Sequence, residues 1–180
     1  MNKIQRLSCL LHLFFKSLCW LIPAVMAYLI FFNMEAMIHY GMFDKILSAS
    51  RIQATDYSML QRAILFLIQA IPLSITVFIC HKLARLFRLY EQGCLFEMEN
   101  IRIIRQISLF MIMGELIHLV LYQPLITAAL SFNNPPGQRF ISITFGEANA
   151  STLMTAIIIL LASWIVKEAY QLKADVQLTI

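Results

Sequence analysis

Four apolar runs dominate the chain, at residues 17–34, 63–80, 107–130 and 148–166, and only Glu115 and His118 in the third interrupt them with ionisable groups. A membrane-spanning helix needs about 20 mostly apolar residues. Each run is too long for a typical strand and too evenly apolar for the surface helix of a soluble domain. The pattern predicts spans at about 17–38, 63–81, 106–130 and 148–166, with one connecting loop at 82–105. Pro23 and Pro72 fall inside the first two spans, where membrane helices tolerate proline and kink mildly. The expected fold is all-α: a single integral-membrane four-helix bundle.

The polar positions orient it. Ahead of the first run, Ile4, Leu7, Leu11, Phe14, Phe15 and Leu18 recur at helical spacing among Lys3, Arg6, His12 and Lys16. That spacing predicts an N-terminal amphipathic helix lying in the headgroup region, with partner binding as the sharper alternative. Lys and Arg concentrate in cytoplasmic segments. With the N-terminus inside, the inner segments hold Lys3, Arg6, Lys16, Lys82, Arg85, Arg88, Arg102, Arg105, Lys167 and Lys173, against Lys45, Arg51, Arg62 and Arg139 outside. Both termini are therefore predicted cytoplasmic. The short apolar run before Pro23 argues against a cleaved signal peptide.

Composition narrows the classes. The chain is 60% apolar and 13% charged, with a net charge of +4 and a mean hydropathy of +0.74. A soluble fold of 180 residues cannot hide so much apolar surface, and disorder and low complexity are excluded with it. The positive charge reads as helix-end lysines and arginines rather than a nucleic-acid footprint, so no direct nucleic-acid contact is expected. Cys9, Cys19, Cys80 and Cys94 all fall in inner or membrane positions without a CxxC, which predicts unreactive thiols and no disulfide framework. The first outer loop is expected to carry a short surface helix. In the second, Asn133-Asn134-Pro135-Pro136-Gly137 is a turn signal. Beyond it, residues 140–145 alternate apolar and polar, which hints at an extended piece. Asn149-Ala150-Ser151 fits a glycosylation sequon, here read as chance at a membrane edge.

The inner loop is the most informative stretch. The second span is expected to continue as a helix to Tyr90 and to end at Gly93, because glycine accepts the left-handed conformation that closes helices. A new helix then starts near 97–100, with Glu97 and Glu99 at its positive dipole end. Leu95 and Phe96 would plug the corner. Gly93-Cys94-Leu95-Phe96, followed by Glu99-Asn100-Ile101 and Arg105, resembles the inner loop of the DUF2975 family of small bacterial membrane proteins. The end of the chain is similar too, in Ser163-Trp164-Ile165-Val166-Lys167-Glu168, Gln171-Leu172-Lys173 and Leu178-Thr179-Ile180. Glu97 stands where that family commonly has Ser or Thr, and Ala169 where it commonly has Gly. The resemblance marks Gly93, Phe96, Glu99, Asn100 and Arg105 as a cytoplasmic motif. It implies a bacterial cytoplasmic-membrane protein of unassigned activity. Members are often encoded beside helix-turn-helix regulators, which implies a soluble regulator as partner.

Ionisable groups inside a span are costly and are candidates for function. Glu115 and His118 share a helix face, about 14 and 18 Å from the inner end of the third span at 1.5 Å per residue. The same count puts Gln69 and Thr155 near 18 Å, with Tyr28 at a similar depth. These five residues form an expected polar layer. It is either a hydrogen-bonded knot, with Glu115 protonated or paired to His118, or a proton or ion relay or ligand site. Glu-x-x-His is half of a di-iron motif, but no second copy exists, so no metal and no cofactor are expected. No phosphate loop, triad or zinc-protease motif is present, and an enzyme is not expected. Two functions stay open. One is a regulatory protein binding a cytoplasmic partner through the 82–105 loop and the tail. The other is an oligomeric transporter or channel subunit using Glu115 and His118; a homo-oligomer is its requirement, since one four-helix bundle encloses little room.

Overall fold

The structure is a computed structural model in which residues 3–39, 43, 56–94 and 97–178 are described, without the side chains of 147, 148 and 172–178. Every regular element among them is helical. α1 spans Lys3–Phe32, α2 Met34–His39, α3 Met59–Glu91, α4 Met98–Ile117, α5 Gln123–Leu130 and α6 Glu147–Leu178, with a π-helical turn at His118–Tyr122 between α4 and α5. Four stretches are long and apolar enough to cross a membrane: Lys3–Phe32, Met59–Glu91, Met98–Leu130 and Asn149–Gln171. Their large apolar side chains point outward, Trp20 being 81% exposed and Phe32 74%. Outward apolar surface on this scale needs lipid as its solvent, which marks the chain as a membrane-embedded protein.

α1 runs without a break from Lys3, so the N-terminal segment and the first span are one helix. Ile4, Leu7 and Phe14 of the expected apolar face are exposed, while Leu11, Phe15 and Leu18 pack inward. Asn33 ends α1, and the short α2 that follows is held by buried Met34, Met37 and Ile38; most of the connection expected to carry a surface helix lies outside the described residues. Pro23 and Pro72 sit within continuous helices. The π turn has an identifiable cause. Pro124 has no N–H and its ring crowds the preceding carbonyls, and a wide turn just ahead relieves both. The Gln123 N–H accordingly bonds back to the His118 carbonyl.

By its contacts the chain divides into two units. Unit 1 comprises Met1–Cys19, Val77–Met113 and Ala150–Ile180. Leu86, Ile103 and Ile107 form its core, with Ile79, Leu83, Leu89 and Tyr90 around them. Phe15 stacks on Phe87 at 5.6 Å and Phe78 meets Phe110 at 4.0 Å between ring centres. The Ser108 hydroxyl donates to the Ala156 carbonyl at 2.6 Å, which ties α4 to α6.

Unit 2 comprises Trp20–Thr76 and Gly114–Asn149. Its core gathers Ile30, Met34, Met37, Leu65, Tyr122, Ile126 and Leu130. Gly114 lets α4 approach α3 closely: a Cβ there would stand 2.9 Å from Ile75 Cγ2. Arg62 ties the end of α1 to the segment before α3, its guanidinium donating to the Phe31 carbonyl at 2.6 Å and the Tyr57 carbonyl at 3.1 Å. Segment 140–144 is pinned along α5 by side chains. Gln123 exchanges two hydrogen bonds with Thr144, at 2.9 and 2.6 Å. The Thr127 hydroxyl accepts from the Ser142 N–H at 3.1 Å, and Ser131 pairs with both backbone groups of Phe140. Four helical residues rise about 6 Å and two extended ones about 6.6 Å, so every fourth position of the helix meets every second position of the segment. Ile141 and Ile143 between them, and Phe145 just beyond, face outward.

Candidate functional site

Two groups of side chains stand out, one in each unit. In unit 1, the corner between α3 and α4 is closed by Gly93 at φ +89°. The Cys94 N–H bonds to the Leu89 carbonyl at 3.0 Å and the Gly93 N–H to the Tyr90 carbonyl at 3.1 Å. This pair of bonds is the Schellman arrangement that satisfies carbonyls at a helix end. On the far side, the Glu97 carbonyl accepts from the Asn100 and Ile101 N–H groups and opens α4. Asn100 is buried, and its amide donates to the Cys94 carbonyl across the corner, leaving its own Oδ1 without a partner among the described residues. Arg85 and Glu99 pair at 2.5 Å with both side chains about half exposed. A pair so exposed contributes about 0–1 kcal/mol, so the corner rests on its backbone bonds and on Asn100. A hydrogen bond to Glu97 pushes the Cys94 thiol above its ordinary range. Of the motif marked in the sequence, Gly93, Glu99 and Asn100 therefore meet at the corner. Arg105 is exposed one turn along α4, beside the equally exposed Arg102. Phe96 lies outside the described residues.

In unit 2, the Tyr122 hydroxyl donates to Gln69 Oε1 at 2.6 Å and so links the third span to the second. His118 stacks on Tyr122 with ring centres 5.0 Å apart, and its buried Nδ1 has no partner among the described residues. Glu115 does not bond to His118; its carboxylate accepts from the amide of Asn149. The Asn149 Oδ1 in turn accepts from the Gly146 N–H at 3.0 Å, at the start of α6. The i, i+3 spacing that suggested a Glu115–His118 pair ignores what a neighbouring helix brings to the same carboxylate. Tyr28 stays exposed and stacks on Phe32. Thr155 is exposed in unit 1, with its hydroxyl bonded to the Ser151 carbonyl of its own helix at 2.8 Å. The expected layer thus resolves into two hydrogen-bonded pairs, Gln69 with Tyr122 and Glu115 with Asn149.

Asn149, the α5 residues Gln123 and Thr127, and Ser131 at the end of α5 were not among the candidates. Asn149 was hidden behind a sequon pattern. Gln123, Thr127 and Ser131 carried a signal, polar residues at i, i+4 and i+8 along an apolar run, which is the repeat of one helix face. No group of three or more His, Cys, Asp or Glu suited to a metal occurs among the described residues.

A family model described as "Protein of unknown function (DUF2975)" matches residues 13–180. No curated protein and no solved structure matches the chain.

Proposed function

The chain belongs to the DUF2975 family, whose function is unknown, and from that premise we propose that it is a multi-pass protein of a bacterial cytoplasmic membrane that binds a soluble partner through unit 1. The observation that carries this reading is the length of helix lying beyond the apolar runs. α3 continues from His81 to Glu91, and α6 from Lys167 to Leu178. At 1.5 Å per residue these extensions reach about 16 and 18 Å past the hydrocarbon. A helix that only had to anchor in the bilayer would have no use for them. Unit 1 also concentrates charge: ten of the fourteen Lys and Arg but five of the ten Asp and Glu, a net +5, against −1 for unit 2. Cytoplasmic segments carry such an excess, so unit 1 and both termini face the cytoplasm.

Arg102 and Arg105 project from a corner whose turn is fixed by Gly93 and Asn100. A preorganised basic surface favours an acidic partner surface, and a helix-turn-helix regulator presenting one is the partner class that the family resemblance implies. The protein acts by binding and not by catalysis. The test is affinity purification of the tagged chain from native membranes in mild detergent. A soluble regulator retained by the wild type and by Glu115→Gln, but lost from the Arg102→Glu, Arg105→Glu double variant, supports the reading. Equal retention by all three would contradict it.

A second reading rests on one observation, the buried and unpartnered Nδ1 of half-buried His118 beside the Tyr122–Gln69 pair. A relay there would need oligomers to form a path. Proton flux in liposomes that stops on His118→Gln replacement would favour it over partner binding.

A further inference from the structure

A cleft of about 570 Å³ opens in unit 1 between α1, α3 and α4. His12 and Lys16 line it from α1, His81, Arg85 and Arg88 from α3, and Glu99 from α4. The arrangement follows from helix geometry: His12 and Lys16 are four apart, and His81, Arg85 and Arg88 follow one another at four and three, so each set shares one face. The two faces are held together by the Phe15–Phe87 stack and by a 2.8 Å hydrogen bond from His12 Nδ1 to the Ala84 carbonyl. That bond fixes the ring and leaves Nε2 as the nitrogen free for another partner. Arg85 pairs with Glu99 at 2.5 Å, and no other ion pair involves the cleft among the described residues. Lys16 and Arg88 therefore keep uncompensated charge. Three permanent cations against one carboxylate give the cleft a formal +2 before either histidine is protonated.

We infer that this cleft binds a phosphate group. Guanidinium groups match phosphate oxygens in two-point contacts, and a lysine adds a point charge. The position along the chain indicates what carries that phosphate. Lys16 is the last residue before the apolar run at 17–34, and His81 is the first after the run at 63–80. Both stand where hydrocarbon gives way to headgroups, the depth of an anionic phospholipid's phosphate. Basic pockets between membrane helices bind such headgroups. This inference needs neither a soluble partner nor a relay in unit 2.

The full-length protein in detergent is titrated with phosphatidylglycerol, with diacylglycerol as the phosphate-free control, and bound lipid is counted by native mass spectrometry. The wild type should retain phosphatidylglycerol and not diacylglycerol. Replacing Arg85→Gln with Arg88→Gln should lower lipid occupancy about tenfold, the scale of losing charge-assisted hydrogen bonds. Lys16→Gln should lower it in the same direction while leaving the Arg85–Glu99 pair intact, which keeps the test valid should the double variant misfold. Arg102→Gln with Arg105→Gln removes the same charge from outside the cleft and should leave occupancy within about twofold. A lipid signal that survives excess inorganic phosphate assigns the site to a headgroup; displacement by inorganic phosphate, sensitive to the same cleft substitutions, assigns it to a free phosphate. Equal losses inside and outside the cleft, retention of diacylglycerol, or binding of neither phosphate probe would overturn the inference.

Discussion

Gly93 shows how much one residue can decide. Its φ of +89° is open to glycine and strained for any side chain, although a Cβ there would meet nothing closer than Gln5 Nε2 at 3.9 Å. The cost of Gly93→Ala is therefore conformational, about 1–2 kcal/mol, and should appear as a lower unfolding midpoint by circular dichroism in detergent. Gly93→Asn should lose less, because asparagine visits the left-handed region more readily. Equal midpoints for all three would show that the corner does not depend on this turn. Tyr57 makes a different residue-scale prediction. Buried beside α5, it donates to the Leu130 carbonyl at 2.9 Å, and burial pushes its phenol up to about 12 from an ordinary 10. A folded-state value raised in this way stabilises the protein below pH 10, and that contribution is lost as the pH climbs towards 12. Tyr57→Phe should flatten the alkaline limb of a stability-against-pH curve between those values; an unchanged limb would mean that Tyr57 is not the group responsible.

At the scale of elements, the ladder between α5 and residues 140–144 shows how the connection between α5 and α6 is held without a β-sheet. Thr127→Val keeps the shape of the side chain but leaves the Ser142 N–H without its acceptor, at a cost of about 1–3 kcal/mol. Hydrogen exchange should quicken at the Ser142 amide and its neighbours while staying unchanged in unit 1. Uniform acceleration throughout the chain would indicate global loosening instead. The four long helices were legible in the sequence because a bilayer demands apolar length, and length and apolarity are both properties of a single segment. The helix end at Gly93 and the start near Glu97 were legible for the same local reason. The ladder and the Glu115–Asn149 bond were not, since each joins positions 9 to 34 residues apart that no periodicity connects. The π turn was not legible because Pro124 lies within the third apolar run without interrupting its apolar pattern. What forces the turn is the missing N–H and the crowded carbonyl ahead of it.

For the molecule as a whole, the division of charge carries the account. Unit 1 holds a net +5 together with both chain ends, and unit 2 holds −1. A partner-binding role and a cytoplasmic regulator both require unit 1 inside. The measurement that tests this most directly is topology mapping in living bacterial cells. A reporter fluorescent only in the cytoplasm and a phosphatase active only outside it are fused in turn after Ile180 and within the 136–138 turn. Fluorescence with an inactive phosphatase at the C-terminal position, and the reverse at the turn, is the expected result. Phosphatase activity at the C-terminal position would place the basic unit outside the cytoplasm and contradict the account.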